Sequence, residues 1–266
     1  MKVTFLGTGT SQGIPVISCK CEVCQSANIK DKRLRTSVMI EENNFTLVID
    51  SGPDFRQQLL RENVQKLDAI LFTHAHKDHV AGLDDIRAFN FFTGRPMDIY
   101  ATGEVQEDIR KEFYYAFDAQ NDYPWIPRMR FHTITTAPFE IGPFKIIPIQ
   151  LLHHKLPVLG FRFVHQAINP NHDEGGHGDF TYITDASFIA EEELEKIRGT
   201  KKLVLNALRK EKHISHFNLK EAISVSQRTG AKKTYFTHLS HQMGLHDAVS
   251  AELPTDIFLA YDGLTI

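Results

Sequence analysis

Thr73-His74-Ala75-His76-Lys77-Asp78-His79 places four potential metal ligands of two chemical kinds within six residues. Before it runs Leu67-Asp68-Ala69-Ile70-Leu71-Phe72, a short apolar run of the kind a buried strand gives. After it, Val80-Ala81-Gly82-Leu83 leads to Ile86 and Phe89 with apolar spacing closer to a helix. The ligands therefore sit on a strand-to-helix turn, where a rigid scaffold aims several side chains at one point. His74 and His76 are two apart, so an extended backbone puts both on one face. Asp78 and His79 are adjacent and diverge, which suits two metals side by side better than one. Imidazole favours Zn, Fe or Ni, and a carboxylate shifts preference towards harder ions such as Mn. A solvated polar turn is the plain alternative, and ligand types at this density argue against it.

Working outward towards the N-terminus, Asp50 closes the second strand of a hairpin, Ser37–Glu41 and Phe45–Asp50, turned at Asn43-Asn44. It either holds a ligand histidine in its tautomer or simply forms the turn. A helix from Phe55 to Leu60 is expected after Pro53. Further back, Cys19-Lys20-Cys21-Glu22-Val23-Cys24 contains all three cysteines. An odd number in one cluster is not a disulfide framework. With a fourth ligand from elsewhere they would make a closed tetrahedral Cys₃His zinc site, structural rather than catalytic. The alternative is three free thiols. The glycines of Gly7-Thr8-Gly9-Thr10-Ser11-Gln12-Gly13 permit a tight turn near a site, but no Lys-Ser/Thr follows to make a nucleotide P-loop.

Towards the C-terminus, residues 103–117 carry helical periodicity. The densest aromatics are Phe113 to Phe117 and then Tyr123 to Pro127 with the only Trp. Core packing is their expected use, with a pocket wall or a dimer contact as alternatives. A strand from Phe144 to Leu152 ends at His153-His154, one of which is expected to be a ligand. Residues 166–179 read as a polar loop in which His172 and His177 are solvated. The strand Thr181–Thr184 is closed by Asp185, where a carboxylate can bridge two metals. His213-Ile214-Ser215-His216-Phe217-Asn218 precedes a helix with a capping box, Asn218 to Glu221. His216 is thus pinned, a sound place for a catalytic group, whereas His213 is expected to be exposed. A last strand ends at Thr237-His238-Leu239-Ser240-His241, whose two histidines can serve different sites.

The 266 residues are 42% hydrophobic and 24% charged, with a formal net charge of −3. That suffices for a full core, in one domain or two fused halves. No basic stripe advertises a nucleic-acid backbone, so no stable nucleic-acid complex is expected. A small phosphorylated substrate is not excluded, because metal ions supply positive charge. Met1 to Leu6 reads as a strand rather than a leader, and no apolar run approaches a membrane span. A cytoplasmic protein with no membrane contact is expected.

The string His74-x-His76-x-Asp78-His79 after an apolar strand resembles the signature of the metallo-β-lactamase-fold hydrolases. The resemblance implies an α/β fold of αββα layers, two mixed sheets face to face, over a single domain 1–266. It implies that Asp185 is the bridging carboxylate, His238 the last histidine and His153 the loop ligand. One metal would be held by His74, His76 and His153, the other by Asp78, His79 and His238. Within the superfamily the chain most resembles the cyclic phosphodiesterases of the carbon–phosphorus lyase pathway. That subgroup carries the Cys-x-Cys-x-x-Cys cluster, the Thr237-to-Gln242 string and a Tyr261-Asp262-Gly263-Leu264 ending. The likeness implies that His241 joins Cys19, Cys21 and Cys24 on a structural zinc, and that His216 and Asp78 are catalytic. The implied chemistry is hydrolysis of a small or cyclic phosphodiester by a hydroxide shared between two divalent metals, Zn or Mn. A carboxylic ester or thioester hydrolase on the same site is an alternative. So is a non-catalytic metal protein of cofactor biosynthesis. A homodimer is compatible with the sequence.

Overall fold

Val3 and Phe5, Val38 and Ile40, Leu47 and Ile49, and Ala69 and Leu71 are buried in one cluster. Their neighbours Leu6, Met39, Val48 and Ile70 are buried in another. Side chains alternate across a strand, so a sheet apolar at both parities must be covered on both faces. The computed structural model, which describes residues 1–118, 120, 123–165 and 179–266, shows what covers them. Strands β1 (Lys2–Gly7), β2 (Ser37–Glu42), β3 (Phe45–Ile49), β4 (Ala69–Leu71), β5 (Met97–Ala101) and β6 (Met129–Thr133) form one sheet in sequence order. Strands β7 (Phe139–Ile141), β8 (Phe144–His153), β9 (Leu156–His165), β10 (Phe180–Ile183), β11 (Lys202–Asn206), β12 (Lys233–Thr237) and β13 (Ile257–Leu259) form the other.

Phe144, Ile146, Phe161, Phe163 and Tyr182 of the second sheet meet the inward residues of the first. Phe55, Leu59, Val105 and Ile109, from the helices Phe55–Arg61 and Gly103–Glu112, cover the outer face of the first sheet. Leu194, Ile197, Ala222, Val225 and Val249 do the same for the second. The layers are therefore helix, sheet, sheet, helix, the expected αββα sandwich. Each sheet has a parallel half: β3 to β6 in one, β10 to β13 in the other. Parallel strands all deliver their C-terminal ends to one edge, which is where an open α/β sheet builds sites.

Several expectations are refined. The turn after β4 continues as a short helix Lys77–Val80, a 3₁₀ turn Leu83–Ile86 and a helix Arg87–Thr93. The helix expected over 103–117 stops at Glu112, and Tyr114–Ala116 is a 3₁₀ turn. With the helical register lost, core packing holds for Phe113 but not for Tyr114, Tyr123 and Trp125, which are exposed. The Asn43-Asn44 hairpin has both residues at positive φ, 49° and 61°. The capping box at Asn218 and Glu221 is complete. His172 and His177 lie outside the described residues.

Candidate metal centre

Three strand ends turn in the same unusual way. Asp50 follows β3 at φ 63°, Asp185 follows the end of β10 at φ 54°, and His238 follows β12 at φ 56°. A non-glycine residue in the left-handed region is strained, and such strain persists only where surrounding structure enforces it. Asp50 is fixed by its backbone N–H donating to Leu71 O at 3.0 Å. Asn206 grips the backbone of Ala186 in both directions at 2.9 Å, which locks the turn carrying Asp185. The turn after β4 is seated against Gly52, where an added Cβ would lie 2.1 Å from the carbonyl oxygen of Asp78.

The side chains so placed converge on Asp185. Its Oδ1 lies 3.3 Å from His238 Nε2 and 3.0 Å from His216 Nε2, and its Oδ2 lies 3.2 Å from His79 Nε2. Asp78 Oδ2 is 3.3 Å from His79 Nε2 and 3.8 Å from His238 Nε2. Donor atoms of His74, His79 and Asp185, of Asp78, His79 and His238, and of His153, Asp185 and His216 each fall within 4.8 Å of one another. The rings of His76 and His74 stand 4.6 Å apart, and those of His76 and His153 5.1 Å apart. All the residues named from the sequence for the two metals are thus brought together. Of His153 and His154, only the first is brought to the cluster. His153 donates Nδ1–H to Ser215 O at 2.8 Å and its ring joins the cluster, while His154 turns at positive φ and is exposed.

Asp50 is fully buried and accepts from Thr73 N–H at 2.9 Å, Thr73 Oγ1–H at 2.8 Å and His79 Nδ1–H at 2.8 Å. It fixes the tautomer that leaves His79 Nε2 facing the cluster. Sequence reasoning missed His213. It is half-buried rather than exposed, with Nδ1 3.2 Å from His216 Nδ1, and Ser215 Oγ lies 3.0 Å from the latter. The signal available was the His-x-Ser-His spacing, which a turn folds onto itself.

Electrostatics make the cluster a cation site. Burial would push Asp185 up, but His238, His79 and the His216 hydrogen bond outweigh it and hold its carboxyl well below the usual range. Asp78 is likewise held low against burial by bonds from His238 and His79. Burial would lower His79, yet Asp185 and Asp50 raise its pKa well above the ordinary value. The carboxylates thus favour positive charge at the centre of the cluster. Meanwhile Nε2 of His74, Nε2 of His79 and both ring nitrogens of His238 are buried without a hydrogen-bond partner. Buried polar atoms are rarely left so, and an ion is a standard explanation. The residues fit divalent metal ions, as the fold implies.

A second group lies apart from the first. His241 Nδ1 is 3.3 Å from both Cys19 Sγ and Cys21 Sγ, and Cys24 completes a four-donor set within 4.8 Å. The Cys24 N–H and His241 lower the Cys21 thiol to about 6, whereas burial raises that of Cys24 to about 11. Cys24 packs on Ile14 and Val23.

Comparison with known proteins agrees with this architecture. Residues 46–239 match the family described as beta-lactamase superfamily domain. A protein named octanoyltransferase from Porphyromonas gingivalis is 36% identical over 267 residues, covering 99% of this chain and 51% of that protein. The chain spans about half the length of the curated relatives it matches. The crystal structure of a new diphosphatase from the PhnP family superposes with a TM-score of 0.88 at 36% identity, covering 100% of this chain and 96% of that one. Zn(2+)-bound PqqB from Methylobacterium extorquens, at 18% identity and a TM-score of 0.77 over 100% of this chain and 99% of that one, shares the fold.

Proposed function

Because the chain belongs to the beta-lactamase superfamily, as a metallo-β-lactamase-fold hydrolase close to PhnP-like phosphodiesterases, we propose that it is a dimetal phosphodiesterase acting on small or cyclic phosphodiesters. The observation that carries this reading is the convergence on Asp185 of His79, His216 and His238, beside buried imidazole nitrogens that have no partner. His74, His76 and His153 would hold one divalent cation, Asp78, His79 and His238 a second, and Asp185 would be shared. Zn and Mn both suit this mixture of imidazole and carboxylate. When bound, such a pair supplies a nucleophile at neutral pH and neutralises charge on phosphoryl oxygens.

The chain's own residues do the rest. Asp50 keeps His79 turned inward. His153 is oriented by Ser215 O. His216 would protonate the leaving alkoxide or bind a non-bridging oxygen. Burial lowers its pKa to about 4 and its Nε2 lies 3.0 Å from Asp185 Oδ1, so either role requires that bond to be exchanged for one to substrate. Cys19, Cys21, Cys24 and His241 would hold a structural zinc that ties the N-terminal loop to the strand end carrying His238.

A second reading is a thioester hydrolase on the same site. It is favoured by the P. gingivalis relative, whose name refers to octanoyl transfer. Metal analysis with rates on bis(p-nitrophenyl) phosphate and on an octanoyl thioester tests both. The phosphodiesterase reading expects three metals per chain and hydrolysis of the phosphodiester. Thioester hydrolysis alone would replace it with the second reading. One metal of any kind under replete conditions would sink the dimetal site.

A further inference from the structure

The segment between β11 and the helix Leu219–Thr229 presents Ser215 and His216 to the metal centre, yet its backbone is secured mainly at its root. Leu208 N–H donates to Phe217 O at 2.9 Å, and Leu219 N–H to Arg209 O at 2.8 Å. Phe217 N–H donates to Ala186 O at 2.8 Å. Among the described residues, no backbone–backbone hydrogen bond reaches residues 210–214. Lys210, Glu211, Lys212 and Ile214 are exposed. A stretch with so few bonds opens locally unless something else holds it. This one must keep two groups still. Ser215 O accepts from His153 Nδ1–H at 2.8 Å, and the His216 ring stacks 4.8 Å from that of His238.

Arg209 supplies the tie. Its Nη2–H donates to Lys212 O at 3.1 Å, which closes the stretch on itself. Its Nη1–H donates to Gln242 Oε1 at 2.7 Å. Gln242 lies on the 3₁₀ turn His241–Met243, and its own N–H donates to the Ser240 hydroxyl at 3.2 Å. Ser240 N–H in turn donates to Leu208 O at 2.9 Å. A guanidinium is planar and holds its donors in a fixed fork, so one side chain sets both acceptors at once. Arg209 Nε is buried without a partner. Leaving a buried donor unmet is costly. An arginine free to satisfy its own donors would turn that nitrogen to water, so the two bonds to Lys212 and Gln242 dictate its pose.

We propose that Arg209 is a positioning residue of the metal centre, tying the segment that carries Ser215 and His216 to the turn that carries Gln242. The proposal rests on the reading of His153 as a metal ligand. Ser215 O fixes the tautomer in which His153 Nδ1 carries the hydrogen, which leaves Nε2 as the donor to a metal. Slack at Lys212 reaches Ser215 three residues on, and through it His153. Arg209 acts through the backbone and not by contact with the ions.

Gln242 is exposed, so Gln242→Ala removes one end of the tie without disturbing the core. Protein stripped of exchangeable metal by mild chelation is titrated with Mn, and free Mn is read by electron paramagnetic resonance. Amide exchange across residues 207–218 is followed by mass spectrometry. Gln242→Ala and Arg209→Met are each expected to speed exchange across 210–216 and to weaken Mn binding, both by about tenfold, the low end for loss of an orienting partner. The double variant should be no worse than Arg209→Met alone, because that variant already lacks the bond to Gln242. Gln242→Glu keeps an acceptor for Arg209 and should recover most of the loss. Wild-type exchange and Mn affinity in both single variants overturn the proposal. So do additive losses in the double variant, or a Gln242→Glu no better than Gln242→Ala. A wild type with a single Mn site would defeat the dimetal reading, and the exchange of residues 210–216 would then decide the tie by itself.

Discussion

Asp50 shows how one carboxylate decides a neighbour's chemistry. It accepts three hydrogen bonds, one of them from His79. Asp50→Ala removes the acceptor and leaves those donors buried and unpaired, so metal affinity should fall by about 10- to 100-fold. Titration with Zn or Mn against a chelating dye measures it, and unchanged affinity would show that His79 needs no orienting partner. His216 poses a different question, because two roles fit its position. His216→Ala should leave metal content intact and lower kcat by about 10²–10⁴. If the ring binds a non-bridging oxygen, the loss is similar for p-nitrophenolate and alkyl leaving groups, and KM rises. A loss confined to poor leaving groups would identify proton donation instead. Wild-type rates on both would reduce His216 to a buried spectator.

At the scale of elements, the strand end after β12 joins two sites. His238 faces Asp185, and His241, three residues on, faces the cysteines. The loop between them is tied down by Leu239 N–H to Thr8 O at 2.9 Å and Ser240 N–H to Leu208 O at 2.9 Å. Zinc binding at a closed Cys₃His site is folding free energy. Cys21→Ser or His241→Ala should therefore lower the melting temperature and remove one zinc per chain. The activity of the fraction that remains folded should change less. Zinc stoichiometry that is unaltered in both variants would count against the staple.

For the whole molecule, a buried network closes the fold near its ends. Arg33 is buried and donates to Thr8 Oγ1 at 2.7 Å, to Ala260 O at 2.5 Å and to His246 Nδ1 at 3.0 Å. Only a neutral imidazole can accept that last bond. Burial, helped by the Arg33 charge, lowers the His246 pKa from 6.5 to about 4. Between those values the unfolded chain binds a proton that the folded chain refuses, so stability is lost as the pH falls from about 6.5 towards 4. Melting temperatures across this window should drop for wild type. They should drop less steeply for His246→Gln, whose starting stability at neutral pH is lower. Other buried histidines contribute to the wild-type slope, so the difference between the two curves is the quantity that matters. Parallel curves would mean that His246 carries none of it.

The sequence by itself determined what depends on near neighbours. The run before His74 specified a buried strand, the motif specified ligands on its turn, and Asn218 with Glu221 specified a cap. Asn43-Asn44 specified a hairpin because those residues tolerate positive φ. The same local reasoning failed where distant segments decide. His241 meets Cys21 across 220 residues of sequence, and no spacing rule reaches that far. His153 and His154 are adjacent and chemically identical, and only the end of the β8–β9 pairing sends one ring inward and the other out. His213 reads as exposed until the turn folds it against His216. The left-handed turns at Asp50, Asp185 and His238 are not specified locally: Asp and His tolerate positive φ better than most residues, but that tolerance does not say which of them adopts it. They exist because parallel strands bring their ends to one edge of two facing sheets, and packing around each turn sustains a conformation the isolated residue would avoid.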